Sequence, residues 1–361
     1  MNRRDMLKFV AGVAISPYLQ SLKLASLKSV AGKKGINFGT AVGPDIYRNA
    51  KYNEFVLHHC SILTPENQLK WRAVVSGKGD YHFHDADRLY GFCNDNKLAM
   101  RGHALIFEKS MRDWILASNR PLQNEINQFI RTIVGRYPNI LSWDLFNEIT
   151  DPDGYNGWLR NDSIYQKIGH GYVKNCAQLM HNISPNSEVV VNEWFGPYKN
   201  RYFRKRRHAV LKMLEYLRNN DIQVTTLGVQ SHLKFAKEEY DQKEWLSFCK
   251  ECKDLGFDLK ISEIDISHGQ NAEANRTINQ ISYDIRTYLE DTLSFANVKD
   301  VISWGLIDSY AYSMSDSIWK QLPYGAAPFQ SNYELGILGK ELYASFENAP
   351  QYVDEKNYNK E

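Results

Sequence analysis

The sequence predicts a single (β/α)8 TIM barrel of the α/β class, on three observations. From residue 36 onward, short strand-like runs alternate with segments whose apolar residues recur at helical spacing. Eight such runs occur within roughly 300 residues, a length typical of one barrel domain. Nearly every run ends in polar or chargeable side chains, as expected where a barrel builds its active site.

The first residues predict an export signal rather than part of the barrel. Arg3 and Arg4 lie in a basic segment that precedes an apolar run from Phe9 to about Leu19. This arrangement resembles a twin-arginine signal, which predicts a leader over residues 1–30 and a periplasmic or extracellular protein. The alternative is an irregular N-terminal helix of a cytoplasmic protein.

The eight predicted strands follow in order between residues 31 and 349. They cover residues 36–42, 60–67, 99–107, 141–148, 188–194, 225–232, 258–265 and 301–308. Because helical segments such as QNEINQFIRTIVGRY separate them, the strands are expected to be parallel and to close into a ring. Residues 350–361 are polar and predict a C-terminal tail.

Net charge and hydropathy indicate which kinds of molecule the protein is suited to bind. The formal net charge is +2, and no stretch of the sequence is long and apolar enough to predict a membrane span. Nucleic acid is therefore a poor candidate, and a weakly charged substrate fits better. We expect a monomer that needs no metal or organic cofactor.

The five cysteines do not predict a metal site. Cys249 and Cys252 form a CxxC pair, but they lie on a predicted amphipathic helix with no second pair or histidines nearby. We assign both a structural role.

Two glutamates end facing strands and can do the chemistry of glycosidic bond cleavage. Glu148 ends the fourth run and Glu263 lies in the seventh. In retaining enzymes one carboxyl group protonates the leaving oxygen while the other, about 5–5.5 Å away, attacks the anomeric carbon. His232 ends the sixth run and could hydrogen-bond Glu263 and keep it ionised. This predicts Glu263 as the nucleophile and Glu148 as the acid, then base.

Seven motifs resemble glycoside hydrolase family 10, the β-1,4-xylanases, over the whole chain after the leader. In order they are TPENQLKW (64–71), RGHALIF (101–107), WDLFNE (143–148), VVNEW (190–194), GVQSHL (228–233), ISEID (261–265) and SWGLID (303–308). The resemblance implies a retaining endo-1,4-β-xylanase with the same two catalytic glutamates. Its substrate would be xylan or its oligosaccharides.

The resemblance also implies roles for the surrounding residues. On the glycone side, sugar hydroxyls would be bound by Glu66, Asn67 and Lys70. The sugar at the point of cleavage would be surrounded by His103, Asn147, Gln230 and Trp304. Asn192 would contact the substrate near the aglycone side, and the catalytic residues would be supported by Arg101, Asp144 and Asp265.

Three positions depart from the family pattern on the glycone side. Phe107 and Glu108 replace the usual Trp-His, and Tyr312 replaces a Trp. All three are expected to contact the glycone sugar, so glycone recognition would be altered. The alternative for Glu108 is that it turns outward to a loop Lys or Arg. A fourth departure, Glu193, stands where an Asp is usual.

Two other functions remain open on the sequence. The altered glycone pocket could favour substituted xylo-oligosaccharides or another β-1,4-glycoside. A sugar-binding protein that has lost catalysis is a more remote alternative, since both glutamates are present together with Asn147, Gln230 and His232.

Overall fold

The computed structural model describes residues 16–117, 121–266, 276–295, 297–311 and 325–352. Each of the eight predicted runs overlaps a strand of the barrel. In chain order, these strands are β1 (Asn37–Val42), β2 (Ile62–Pro65), β3 (Ala99–Met100), β4 (Ser142–Asn147), β5 (Glu188–Glu193), β6 (Thr226–Val229), β7 (Asp258–Ile266) and β8 (Asp300–Ser303).

The strands form one parallel ring. Ladder hydrogen bonds join them in the order β3-β2-β1-β8-β7-β6-β5-β4. The ring is completed between β3 and β4 by two isolated parallel bridges, Gly102 with Trp143 and Ile106 with Phe146. The predicted (β/α)8 barrel is therefore confirmed.

Both faces of the strands are covered, which is why they read as apolar runs rather than as alternating patterns. Val189, Val190 and Val191 of β5 are all buried, as are Leu227 and Val229 of β6. The outer face packs against the helices and the inner face packs against the opposite side of the barrel.

The helices form the outer layer. They are α1 (Pro17–Lys23), α2 (Leu27–Gly32), α3 (Asp45–Arg48), α4 (Ala50–His59), α5 (Trp71–Val74), α6 (His84–Asp95), α7 (Asp113–Ala117), α8 (Leu122–Arg136), α9 (Ser163–Ile168), α10 (Tyr172–Ile183), α11 (Arg201–Asn219), α12 (Gln242–Asp254), α13 (Ile278–Phe295) and α14 (Ile337–Asn348). Single 3-10 turns span Glu108–Ser110 and Asp308–Tyr310. In α8 the buried residues Ile126, Phe129, Ile130 and Ile133 follow the spacing of one helical face.

Short strands outside the ring lie at the end of the barrel that carries the carboxyl ends of its strands. Val75–Gly77 pairs with Asp80–Tyr81 as a hairpin, and His232–Leu233 pairs with the last residues of β7. A further strand, Thr150–Tyr155, follows β4 directly. These segments carry the chain over the carboxyl ends of the barrel strands.

The N-terminal helices pack on the barrel. Leu27, Val30 and Ala31 of α2 are buried in the main core, and the side chain of Ser26 caps this helix by accepting a hydrogen bond from the backbone N–H of Ser29. Residues 26–30, which fall inside the predicted leader, therefore pack on the barrel, and the leader itself stays a prediction. Residues 1–15, half of the predicted leader, and residues 353–361, most of the predicted tail, lie outside the described residues. Within the described ranges, every helix is too short or too polar to span a bilayer.

The two cysteines of the CxxC pair lie on the inner face of α12. Cys249 and Cys252 are both buried in the core cluster and form no disulfide. Burial raises the pKa of the Cys249 thiol to about 12. Both side chains therefore act as apolar packing groups at neutral pH.

Candidate active site

A cleft of about 830 Å³ opens over the carboxyl ends of the strands. It brings together twelve of the residues predicted from the sequence, on strand ends and loops that are far apart along the chain. These are Glu66, Asn67, Lys70, His103, Phe107, Asn147, Glu148, Gln230, His232, Glu263, Asp265 and Trp304.

Glu148 follows β4 immediately and has a left-handed backbone conformation, with φ of 57°. This conformation is uncommon for a residue with a side chain and redirects the carboxylate at the end of the strand. Two hydrogen bonds hold the turn: the Glu148 N–H donates to the Asn192 carbonyl at 2.9 Å, and Arg160 Nε donates to the Glu148 carbonyl at 2.9 Å. The side chain stays partly exposed, with 15% of its surface accessible.

The Glu148 carboxylate has two polar neighbours in the cleft. Lys109 Nζ donates to Oε2 at 2.6 Å, and Gln230 Nε2 lies 3.4 Å from Oε1. Lys109 itself is largely exposed, with 57% of its side-chain surface accessible. The carboxylate is thus reachable from the solvent, as a group that must exchange protons requires.

Glu263 lies on β7 in a very different environment. It is buried, its Oε1 accepts a hydrogen bond of 2.6 Å from Asn192 Nδ2, and its Oε2 lies 3.3 Å from His232 Nε2. Burial by itself would raise the pKa of Glu263, but the hydrogen bond from His232 and the positive charges of His103, His232 and Lys70 lower it overall. Glu263 is therefore the carboxylate held ionised.

His232 is fixed between two carboxylates. Its Nδ1 lies 2.9 Å from Asp265 Oδ1, and its Nε2 faces Glu263. Burial opposes the charged imidazole, yet Asp265 and Glu263 raise the pKa of His232 well above its usual value. A protonated His232 donates from both ring nitrogens, so Asp265 orients the cation that holds Glu263.

Asn192 contacts both glutamates, since its backbone carbonyl accepts from the Glu148 N–H and its side chain donates to Glu263. It is fully buried on β5, donates to Glu263 and also donates to Asn147 Oδ1 at 2.8 Å. Ser262 Oγ in turn donates to Asn192 Oδ1 at 2.6 Å. Asn192 does not line the cleft, and its side chain holds the Glu263 carboxylate in position, whereas its predicted substrate contact stays a prediction.

A second buried cluster supports His103. Its Nδ1 lies 2.8 Å from Asp144 Oδ2, and Arg101 forms an ion pair with the other oxygen of Asp144. Arg101 and Asp144 are buried beneath the cleft, whereas the His103 ring contacts Trp304 edge-on with centroids 5.2 Å apart. The orientation of His103 is thus fixed from two sides.

One half of the cleft, here called the Lys70 half, contains the predicted glycone residues. Lys70 Nζ lies 3.4 Å from Asn67 Oδ1, 5.8 Å from the Phe107 ring centroid and 5.9 Å from the Trp304 ring centroid. Asn67 also donates to Glu66 Oε1 at 2.9 Å. Burial raises the pKa of Glu66 and lowers that of Lys70, although their mutual attraction opposes both shifts.

The departures from the family pattern have different locations. Phe107 lines the cleft between the ammonium groups of Lys70 and Lys109. Glu108 begins the 3-10 turn and does not line the cleft. Burial raises the pKa of Asp162, and the negative charge of Glu108 adds to this shift. Asp162 directly precedes α9, so Glu108 lies near the start of that helix. Tyr312 lies outside the described residues.

Nine further residues line the cleft without having been assigned from the sequence: Arg72, Ala73, Lys109, Ser110, Arg160, Trp194, Phe195, Phe203 and Lys234. Trp194 ends the VVNEW motif and Lys234 directly follows GVQSHL, so their positions along the chain were a usable signal. Phe203 and Arg160 come from α11 and the segment after β4, and no motif marks them.

Glu193 forms a buried polar group behind Trp194. Its carboxylate accepts hydrogen bonds from the Thr150 N–H at 2.9 Å and from Thr150 Oγ1 at 2.6 Å, and lies 3.8 Å from Arg206. Burial raises the pKa of Glu193 to about 7, even though Thr150 and Arg206 oppose the shift. The Arg206 guanidinium in turn covers the Trp194 ring at 3.9 Å from its centroid.

Comparison with known families supports the sequence resemblance. The family model described as "Glycosyl hydrolase family 10" matches residues 26–344. Endo-1,4-beta-xylanase A of Thermotoga maritima is 24% identical over 310 residues, covering 80% of this chain and 28% of the relative. Beta-1,4-xylanase of Dictyoglomus thermophilum is 24% identical over 305 residues, covering 81% of this chain and 83% of the relative.

Two solved structures have the same fold. Native xylanase 10B from Thermotoga maritima has a TM-score of 0.77 at 22% identity, covering 89% of this chain and 98% of that chain. Xylanase 10B from Thermotoga petrophila, in complex with xylobiose, has a TM-score of 0.78 at 22% identity, covering 90% and 98%. The chain spans less than half the length of the first curated relatives it matches, 28% in two cases and 43% in a third.

Proposed function

Because the chain belongs to glycosyl hydrolase family 10, we propose that it is a retaining endo-1,4-β-xylanase. The observation that carries this proposal is the asymmetry of the two glutamates in one cleft. Glu263 is buried and held ionised by Asn192 and His232, while Glu148 is partly exposed beside Lys109 and Gln230. The environment of Glu263 suits a nucleophile, and the environment of Glu148 suits an acid/base.

In the first step, protonated Glu148 gives its proton to the glycosidic oxygen and the aglycone leaves. A carboxylate oxygen of Glu263 forms a bond to the anomeric carbon, so the glycone remains covalently attached. Asn192 and His232 both donate toward Glu263, which keeps the attacking carboxylate ionised and fixed in orientation.

In the second step, ionised Glu148 takes a proton from a water molecule that attacks the anomeric carbon. The bond to Glu263 breaks, and the sugar leaves with its original anomeric configuration. Glu148 regains its proton, and the partial exposure of its side chain gives water access to it.

The test is reducing-sugar release from linear β-1,4-xylan, with carboxymethyl-cellulose as the alternative polymer. Glu263→Gln should lower kcat by about a thousandfold or more, because an amide cannot form the covalent intermediate. Replacing the exposed Glu251 of α12 by Gln is the matched control and should leave the rate unchanged. Affinity for xylo-oligosaccharides without turnover in the wild type would instead favour a sugar-binding protein.

Product lengths decide between internal and terminal cutting. An endo-acting enzyme releases mixed oligosaccharides early in the reaction, whereas terminal cutting releases one short product. We expect mixed products because the cleft continues on both sides of the glutamates, with the Lys70 half on one side and Trp194, Phe203 and Lys234 on the other.

We further propose that the protein is exported as a monomer through the twin-arginine route. Arg3 and Arg4, followed by an apolar run, support this. The leader would end before Ser26, since the family match begins there and α2 packs on the barrel.

A further inference from the structure

The side of the cleft opposite the Lys70 half, here called the Trp194 half, offers an aromatic surface with fixed orientation. Trp194 is half-buried and lines the cleft, while the buried Arg206 guanidinium lies 3.9 Å from its ring centroid. Phe203 also lines this half, from the first turn of α11. A planar ring supported from behind is suited to stack on the C–H face of a sugar.

Lys234 adds a positive charge to this surface. Its Nζ lies 5.6 Å from the Phe203 ring centroid and 6.0 Å from the Trp194 ring centroid. The side chain is half-buried, and it forms no ion pair with any carboxylate of the described ranges. The nearest acid on its own segment, Glu238, already accepts a hydrogen bond of 2.7 Å from Asn200.

Arg160 supplies a second cation that no described carboxylate neutralises at ion-pair distance. Its Nε donates to the Glu148 carbonyl and its Nη2 to the Thr150 carbonyl, so its hydrogen bonds go to neutral groups. Both Arg160 and Lys234 line the cleft. A partly buried charge that lacks a counter-ion is costly, and an anionic ligand would relieve that cost.

The rim next to this half is basic as well. Six cations occur between residues 199 and 208: Lys199, Arg201, Arg204, Lys205, Arg206 and Arg207. Lys199 pairs with Glu239 at 2.8 Å, and Arg204 lies 4.0 Å from Asp241. Arg201 and Lys205 are exposed on the first turns of α11, where Asn200 caps the helix next to the cleft. Among the described residues no carboxylate lies at ion-pair distance from Arg201 or Lys205, so these two cations favour an anionic group over a neutral one at this end of the cleft.

We propose that the Trp194 half binds xylan units that carry a uronic acid side group, with Lys234 as the ion-pair partner of the uronate carboxylate. This inference rests on the proposed xylanase function and names the substrate class within it. A uronic acid offers a sugar ring for the aromatic surface and one carboxylate for the ammonium, which a neutral xylose or arabinose unit does not. Arg160 and the rim cations strengthen the attraction without a direct contact being required.

The test compares three xylo-oligosaccharides of equal backbone length. One is linear, one carries a glucuronic acid group, and the third is the second after its carboxylate has been reduced to an alcohol. The reduced oligomer keeps the shape of the acidic one and loses only the charge. We expect the wild type to cleave the acidic oligomer with a kcat/KM about tenfold above that of the reduced one.

Lys234→Gln should lower this preference to about twofold or less, because the amide keeps a polar side chain but removes the charge. The matched control is Lys253→Gln, an exposed lysine near the end of α12, which should keep the full preference. Raising the salt concentration from about 0.02 M to about 0.5 M should reduce the wild-type preference as well, since salt screens partly exposed charges. If Lys234→Gln does not fold, the wild-type rates on the acidic and reduced oligomers, and the salt dependence of their ratio, decide whether the inference holds.

Two outcomes would overturn the inference while leaving the proposed function intact. One is equal cleavage of the acidic and reduced oligomers by the wild type. The other is a preference that Lys234→Gln retains in full. If the linear oligomer is not cleaved at all, the proposed function fails first, so the two failures are distinguishable.

Discussion

At the residue scale, two buried glutamates near the cleft have opposite pKa shifts. Burial would raise the pKa of Glu263, but the hydrogen bond from His232 and the charges of His103, His232 and Lys70 lower it overall. Glu193 accepts two hydrogen bonds from Thr150 and lies 3.8 Å from Arg206, yet burial prevails and raises its pKa to about 7. The charges of the neighbouring groups, and neither burial nor the number of hydrogen bonds alone, therefore decide the direction of the shift.

The His232 contact predicts a change in pH dependence. Glu263 must be ionised to attack, so activity falls as the pH drops through its pKa, and the lowered pKa extends activity toward acid. His232→Gln removes a positive charge, so the pKa of Glu263 should rise and the acidic limb of kcat/KM should move upward by about one pH unit. The measurement is a pH–rate profile on linear xylo-oligosaccharide.

His181→Gln, an exposed histidine on α10, is the control for this prediction and should leave the profile in place. An acidic limb that stays where it is in His232→Gln would show that His232 does not hold the charge of Glu263. A drop in kcat at every pH without a shift would point to a purely geometric role.

At the element scale, one buried lysine links four barrel strands through ion pairs and a hydrogen bond at the end opposite the cleft. Lys260 of β7 has an ion pair with Asp300 of β8 at 2.6 Å, a second with Glu188 of β5, and a hydrogen bond of 2.9 Å to Ser142 of β4. Its side chain is only 1% exposed. The ends of β4, β5, β7 and β8 thus share one charge cluster.

Lys260→Met should destabilise the barrel by about 3–5 kcal/mol, because it leaves two carboxylates without their counter-ion. Urea unfolding at neutral pH measures the change, and the exposed Lys243→Met on α12 is the control. Adding Glu188→Gln and Asp300→Asn to Lys260→Met should restore part of the loss. A change below about 1 kcal/mol would contradict this account.

The same cluster predicts how the stability difference between the wild type and Lys260→Met depends on pH. Burial opposes the charged form, but Lys260 and the hydrogen bonds lower the pKa of Glu188 to about 2, against about 4.3 in an unfolded chain. The stabilising contribution is therefore complete above about pH 4.3 and is lost as the pH falls toward 2. The difference between wild type and Lys260→Met should shrink across this window.

At the scale of the whole molecule, α2 closes the barrel's N-terminal side. Removing residues 2–32 exposes the core sites of Leu27, Val30 and Ala31 and should lower the free energy of unfolding by at least about 3 kcal/mol. Removing residues 2–25 deletes α1 together with the contacts of Tyr18 to Phe55, Tyr333 and Glu54, and should cost less, about 1–2 kcal/mol. Urea unfolding of both truncated proteins checks this, and equal stabilities would contradict the placement of the domain start before α2.

The sequence alone determined the architecture, because the barrel pattern depends on local periodicity. Six of the eight strands lie within the predicted runs and the other two, β7 and β8, extend one residue beyond them. The alternation of these runs with helical segments predicted the parallel sheet. The carboxyl ends of those strands also marked Glu148, Glu263 and His232, since a barrel brings all such ends to one face. The family resemblance followed from the same motifs.

Tertiary structure decided what depends on contacts between distant segments. The long third run contains only the short ladder strand β3, and its later residues Gly102 and Ile106 pair with β4 through isolated bridges. Gly102 packs so closely against the Trp143 ring that a Cβ would lie 1.9 Å from ring carbon Cε3. Asn192 is a buried donor to Glu263, and Lys234 and Trp194 form one surface with Phe203 of α11. Sequence motifs identify side chains one strand at a time, whereas burial, ion pairing and pKa arise only when several strands and helices meet.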